Sequence, residues 1–197
     1  MSASNLVALL LFAAAGSGSP GPNNTMLLAS GMRFGLRGTI PHVAGTAAGI
    51  GALVVAVAAG IGVVLEAIPA LKTGLKVAGS LYLLVLAFRL AVAGAVGRGE
   101  VSRPLTFRQA VIFQFVNPKG WIFAIAVVAA FLPPGPSPVL GGLVVAAILC
   151  VVVGATAALW ALGGAALAGA TTTERSQRAA TIVLAALMVA SVVLLWI

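Results

Sequence analysis

Two short stretches of this chain put residues capable of chemistry inside otherwise apolar sequence. The first is SGSPGPNN, residues 17–24, and the second is FVNPKGW, residues 115–121. A primary amide both donates and accepts hydrogen bonds, so Asn23, Asn24 and Asn117 can hold either end of a zwitterion. Lys119 adds a cation. The prolines add a backbone effect. Proline inside a helix removes a hydrogen bond and clashes with the preceding turn, at about 3 kcal/mol or more. At the first position of a new helix it costs nothing comparable. Asn117-Pro118 therefore reads as an N-cap and a restarted helix, and Gly21-Pro22 permits the same reading. A restarted helix offers unpaired N–H groups and a positive dipole end, which suit a carboxylate. The predicted substrate-binding residues are Pro20, Gly21, Pro22, Asn23, Asn24, Asn117, Pro118 and Lys119. No catalytic residue, cofactor or metal site is predicted. His42 and Cys150 are each single, and the acids are only Glu66, Glu100 and Glu174. Such a set assembles neither a nucleophile with its base nor a Cys/His cage.

The elements that must carry these stretches are membrane helices. The 197 residues are 61% hydrophobic and 7% charged, whereas a soluble domain is about 25% charged. Windows of about 20 apolar residues fall at about 5–31, 42–65, 72–94, 107–132, within 138–170, and at about 177–197. The expected fold is an all-α integral membrane protein of six transmembrane helices, with helices 1 and 4 broken. LVALLLFAAA, residues 6–15, resembles the apolar core of a signal peptide, but no Lys or Arg precedes it; a retained first helix is expected.

Orientation follows from the cations. Arg33 and Arg37 lie between spans one and two. Arg89, Arg98, Arg103 and Arg108 lie around the 3–4 connection, and Arg175 and Arg178 between spans five and six. The 2–3 connection has only Lys72 and Lys76, and the 4–5 connection none. This bias places the odd loops in the cytoplasm and both termini outside. It also accounts for the net charge of +8 without a nucleic-acid partner.

One break falls in span one and the other in span four. These are corresponding positions of two three-span halves, about 1–98 and 99–197, within a single transporter domain of residues 1–197. An odd number of spans per half inverts one half relative to the other, as in transporters built from inverted repeats with discontinuous helices. The two restarted helix ends would then meet from opposite sides. Lys119 lies about 12 residues into its span, or about 18 Å at 1.5 Å per residue. It must pair with a substrate carboxylate or be satisfied by loose backbone carbonyls. His42 is expected at the cytoplasmic edge of span two, as an interfacial polar group or a proton sensor. Gly45 and Gly49 make a G-x-x-x-G spacing, for packing against a neighbouring span or for a homodimer face. Trp121 and Trp196 suit interface or cavity-lining positions, and Glu66 suits an outer ion pair with Lys72 or Lys76.

SPGPNN resembles the Pro-Gly-Pro-Asn motif of the LysE/RhtB family of amino-acid exporters. LKVAGSLYLLVLAFRL, residues 75–90, is similar to that family's third span, and FRQAVIFQFVNPKGWIFAIAVVAAFLPP, residues 107–134, to its fourth. The resemblance implies proton-driven export of amino acids or related metabolites across the bacterial cytoplasmic (inner) membrane. It carries over Pro20, Gly21, Pro22, Asn23, Asn117, Pro118 and Lys119 by position. Span two departs from the family, offering Thr46 where members often have an acidic or polar group. With no Asp in the chain, a neutral zwitterion fits better than a cationic amino acid, which would want a buried counter-charge. The alternatives are a cadmium-type cation exporter of similar shape and a non-transport structural membrane protein.

Overall fold

A computed structural model describes residues 1–61, 67–92, 103–170 and 173–196. The described residues form helices and no strand. Helix α1, Ala3–Gly18, starts at Ser2, whose side chain accepts from the Asn5 N–H at 3.2 Å. It stops where Pro20 and Pro22 cannot continue it. Helix α2, Pro22–Ala58, then begins with Pro22 in its first turn.

Helix α2 is two arms. Gly35 sits inside it at φ 67, ψ 177, a conformation open essentially to glycine alone. Ser30 Oγ lies 3.0 Å from Thr39 Oγ1, and Thr46 Oγ1 donates to Asn23 Oδ1 at 3.2 Å. In a straight helix the latter pair would be about 35 Å apart at 1.5 Å per residue. The chain therefore reverses at Gly35, and arms 22–34 and 36–58 pack antiparallel. Arg33 and Arg37 flank the turn, where the sequence predicts a cationic loop. Gly35→Ala should cost about 1–3 kcal/mol, and a melting temperature in detergent equal to that of the parent would contradict this.

Helix α3 spans Pro69–Val92, α4 Phe107–Val116, α5 Pro118–Phe131, α6 Pro138–Ala170 and α7 Glu174–Trp196. Helix α4 opens on a capping box between Thr106 and Gln109, which satisfies two orphan donors at once. Helices α4 and α5 meet at 75° across Asn117. By length and apolarity α2, through its second arm, and α6 can each cross a bilayer, and the bent pair α4–α5 makes a third candidate. The helices fall in the apolar regions of the sequence, with the second arm of α2 starting after Gly35 rather than near residue 42. The half-repeat boundary near residue 98 and the Glu66 ion pair lie outside the described residues; Lys76 instead stacks over the Trp196 ring at 5.6 Å.

Packing follows the distribution of small residues. Val145, Leu149, Val153, Ala157 and Ala161 form a buried stripe at four-residue spacing on α6, so one face of that helix meets α1 and α2. Its other face leaves Val151 and Leu159 largely exposed, as Leu11 is on α1 and Phe88 on α3. An apolar exterior of this kind is at home in lipid tails rather than water. Gly45 and Gly49 face α4 within the chain, where added Cβ atoms would meet Ala110 Cβ and Gln114 Cγ, both at 2.6 Å. Trp196 Nε1 donates to Ser80 Oγ at 2.9 Å and ties α7 to α3.

Candidate functional site

Each break frees backbone carbonyls, and in an apolar setting each needs a partner. At the first break Asn24 Nδ2 donates to Ser17 O at 2.6 Å and Ser19 O at 2.9 Å. Trp160 Nε1 reaches Gly18 O at 3.2 Å, and Ser19 Oγ turns back to Gly16 O at 2.8 Å. Thr25 N and Oγ1 both take Gly21 O. At the second break Trp121 Nε1 donates to Phe115 O at 2.8 Å, and Gln114 Nε2 to Ala110 O at 3.3 Å. Asn117 caps α5, its Oδ1 accepting from Lys119 N at 3.2 Å. Trp121, expected at an interface or a cavity wall, is a brace of the break. Its ring edge also meets Phe115 at 6.2 Å.

The two breaks meet. Lys119 Nζ, on the second, donates to Ser19 O at 2.9 Å, Ser19 Oγ at 2.8 Å and Pro20 O at 3.1 Å, on the first. Three donors find three neutral oxygens, two backbone carbonyls and the Ser19 hydroxyl. Gly21 gives the ammonium room, because a Cβ there would stand 2.9 Å from Nζ and the lysine would have to shift.

Between the breaks lies a cavity of about 50 Å³; one water needs roughly 10–15 Å³ on the same measure. Val153, Thr156 and Ala157 line it from midway along α6. Of the predicted residues, Gly21, Asn23, Asn24, Asn117 and Lys119 line the cavity, whereas Pro20, Pro22 and Pro118 shape the breaks beside it. Sequence reasoning left Ser17, Gln114 and Thr156 out of the site; all three line the cavity. Gln114 Nε2 donates to Asn23 Oδ1 at 3.0 Å, beside the Thr46 bond to the same oxygen. A lone glutamine three residues before Asn117 in an apolar run was the available signal.

The internal bonds consume particular atoms and spare others. Asn23 Oδ1, both Asn24 Nδ2 hydrogens, Gln114 Nε2 and Asn117 Oδ1 are engaged. The Nδ2 groups of Asn23 and Asn117 remain as donors, and Asn24 Oδ1 and Gln114 Oε1 as acceptors. With the positive ends of α2 and α5 at the same cavity, the walls offer donors for a carboxylate and acceptors for an ammonium. Ile50, Phe123 and Val153 supply an apolar side.

Residues 14–197 match the family described as LysE type translocator, and the chain belongs to that family. It is 30% identical over 146 residues to the cysteine/O-acetylserine efflux proteins of Escherichia coli (strain K12) and Shigella sonnei (strain Ss046). That match covers 73% of this chain and 74% of each relative. No solved structure matches. The family's members are membrane transporters and not enzymes, and amino-acid efflux is what these relatives are named for.

Proposed function

We propose that this chain is a secondary-active exporter of small neutral amino acids, driven by the proton gradient across a bacterial cytoplasmic membrane. It forms one six-span unit of two inverted halves, about 1–98 and 99–197, with both termini outward. The observation that carries the reading is the convergence of two helix N-termini, Lys119 and a mixed amide set on one small cavity. A zwitterion's carboxylate would lie at Lys119 and the helix ends, and its ammonium at Asn24 Oδ1 and Gln114 Oε1. The cavity size favours a short side chain, and the relatives' names make cysteine and O-acetylserine the first substrates to test. A carboxylate entering the cavity would compete with Ser19 and Pro20 for Lys119. Binding would thereby loosen the first break, which links occupancy to movement of α1 against α2.

The cation-exporter alternative fares worse on the same residues. The lining offers amides, hydroxyls and an ammonium, with no carboxylate, thiol or imidazole, and soft or hard cations want such ligands.

The test is efflux from dipeptide-loaded cells with and without a protonophore. Release of a neutral amino acid that collapses with the gradient is expected. Asn23→Ala and Asn117→Ala should each reduce efflux by roughly tenfold or more, the scale of losing one or two buried hydrogen bonds. Both variants should still reach the membrane. Undiminished efflux from both would remove these residues from the site.

A further inference from the structure

His42 stands apart from every other buried polar group. Its side chain is 1% exposed, and neither ring nitrogen has a hydrogen-bond partner. A neutral imidazole so placed strands one donor and one acceptor, and a protonated one strands two donors and a charge. Buried polar groups are almost always paired, so an orphan of this kind calls for a functional reason. The sequence places His42 at the edge of its span. The one-residue turn at Gly35 starts the second arm of α2 at residue 36, and the histidine lies in the second turn of that arm with its side chain buried in the protein.

Its position relative to the cavity is fixed by two hydrogen bonds. Thr46, one turn along the same face, bonds Asn23 in the cavity wall. Thr39, one turn the other way, bonds Ser30 of the first arm. Both bonds share one antiparallel register, which sets fully buried Leu27 opposite His42. These two residues lie at a level between the Thr46–Asn23 bond at the cavity and the Ser30–Thr39 bond toward the Gly35 turn. The step from Thr46 to His42 is about 6 Å along the helix.

The charged and titratable groups on the surrounding elements give the ring no anion. The two arms of α2 carry Arg33 and Arg37 at their turn, and α4 carries Arg108 in its first turn. Lys119 of α5 is held by the first break, and Cys150 of α6 donates to Ala47 O. Helix α7 opens on Glu174, whose side chain is not among the described ones, and carries Arg175 and Arg178. No group is bonded to the ring, and no carboxylate is among the described side chains of these helices.

We propose that His42 is the binding site of the counter-transported proton and that it couples that proton to a gate between the cavity and the Gly35 turn. The proposal rests on the exporter reading above. The closed gate is compatible only with the neutral ring, because closing on the protonated form would bury a charge without an acceptor. A proton reaching a ring nitrogen from the cavity therefore drives the two arms of α2 apart in the empty protein, wets the ring and leaves it free to release the proton at the turn. Bound substrate opens the same gate with the ring neutral, so substrate exchange needs no proton. Closure follows only after the proton is released. One proton is carried inward for each opening of the empty protein, and a substrate loaded while the gate is open leaves in the other direction.

The test uses the purified full chain in liposomes, on a histidine-free affinity tag. Labelled cysteine, kept reduced, is followed in two assays: counterflow without a gradient, and accumulation driven by an imposed pH gradient. Wild type should do both; absence of counterflow with every amino acid tried would overturn the exporter reading itself. His42→Gln should keep counterflow within about twofold and lose at least roughly tenfold of gradient-driven accumulation. Full gradient-driven accumulation by His42→Gln, or loss of both activities, would overturn the proposal. A second readout needs no variant. His42 is the sole histidine, so one set of ¹⁵N-histidine ring resonances reports it in wild type. The ring should become doubly protonated on acidification and revert when cysteine is added. A ring unchanged across pH 5 to 8 would also overturn the proposal.

Discussion

Replacing Lys119 with methionine should bring efflux to background and lower the melting temperature of the purified protein. The ammonium joins two chain breaks that are a hundred residues apart in sequence. Methionine keeps the length and apolar stem but removes three donors. Ser19 O retains Asn24 Nδ2, and Ser19 Oγ retains its bond to Gly16 O. Pro20 O then has no other donor among the described residues. Hydrogen bonds to a charged donor are worth about 1.5–3 kcal/mol each. Some of that sum returns as relief from burying an unpaired cation, so a net loss of about 2–4 kcal/mol is expected. Transport suffers more than stability, because the same ammonium is the anchor proposed for the substrate carboxylate. Lys119→Arg separates the two effects. It keeps the charge but puts a wider planar guanidinium where the compact ammonium packs beside Gly21. Efflux between wild type and Lys119→Met is the expected result. Wild-type efflux from Lys119→Met would show that this cation neither latches the breaks nor meets the substrate.

The two breaks were legible because proline acts locally: Pro22 and Pro118, each beside a capping residue, favour a helix start over a helix running through, whereas Pro41, without such a neighbour, sits inside the second arm of α2. That both breaks serve one cavity was legible only through the symmetry of their placement. The partners were not. Gln114 and Asn23 are 91 residues apart, and nothing in either neighbourhood announces the pairing. It depends on the reversal at Gly35, which sits in RFGLRGT, a stretch that reads as an ordinary polar loop. Because the turn takes a single residue, the second arm begins earlier than the hydropathy window suggests. That difference puts His42 beyond the first turn of the second arm, where its side chain is buried within the protein. Helix α6 is harder still. It has no charge and no motif, yet it supplies Thr156, 2.9 Å from Ser17 Oγ, and the Trp160 donor to Gly18. A buried stripe of small residues specifies close packing, but not which neighbour comes close.

That close approach predicts a second large effect, on folding first and on transport through it. The first arm of α2 and helix α6 cross with their backbones in contact. A Cβ added at Gly31 would land on the Ala161 carbonyl, and one at Gly164 on the Leu28 carbonyl, with Met32 N at 2.9 Å. Side-chain neighbours can rotate away, but these neighbours are backbone inside hydrogen-bonded helices. Overpacking ordinarily costs about 1–3 kcal/mol, and a clash that must push both helices apart along their length costs more. Gly164→Leu should therefore give little folded protein, seen as aggregate on size exclusion. Gly163 is the control beside it. A Cβ there meets nothing within 4 Å, so Gly163→Leu should accumulate and transport normally. The crossing also bears on the site, since the arm that α6 holds at Leu28 and Gly31 carries Asn23 and Asn24 at its start. Gly164→Ala, a smaller displacement, should fold in reduced yield and lose a larger fraction of efflux than of protein. Equal yields of Gly164→Leu and Gly163→Leu would mean that the two backbones do not cross there, and the position of the first break would need another support.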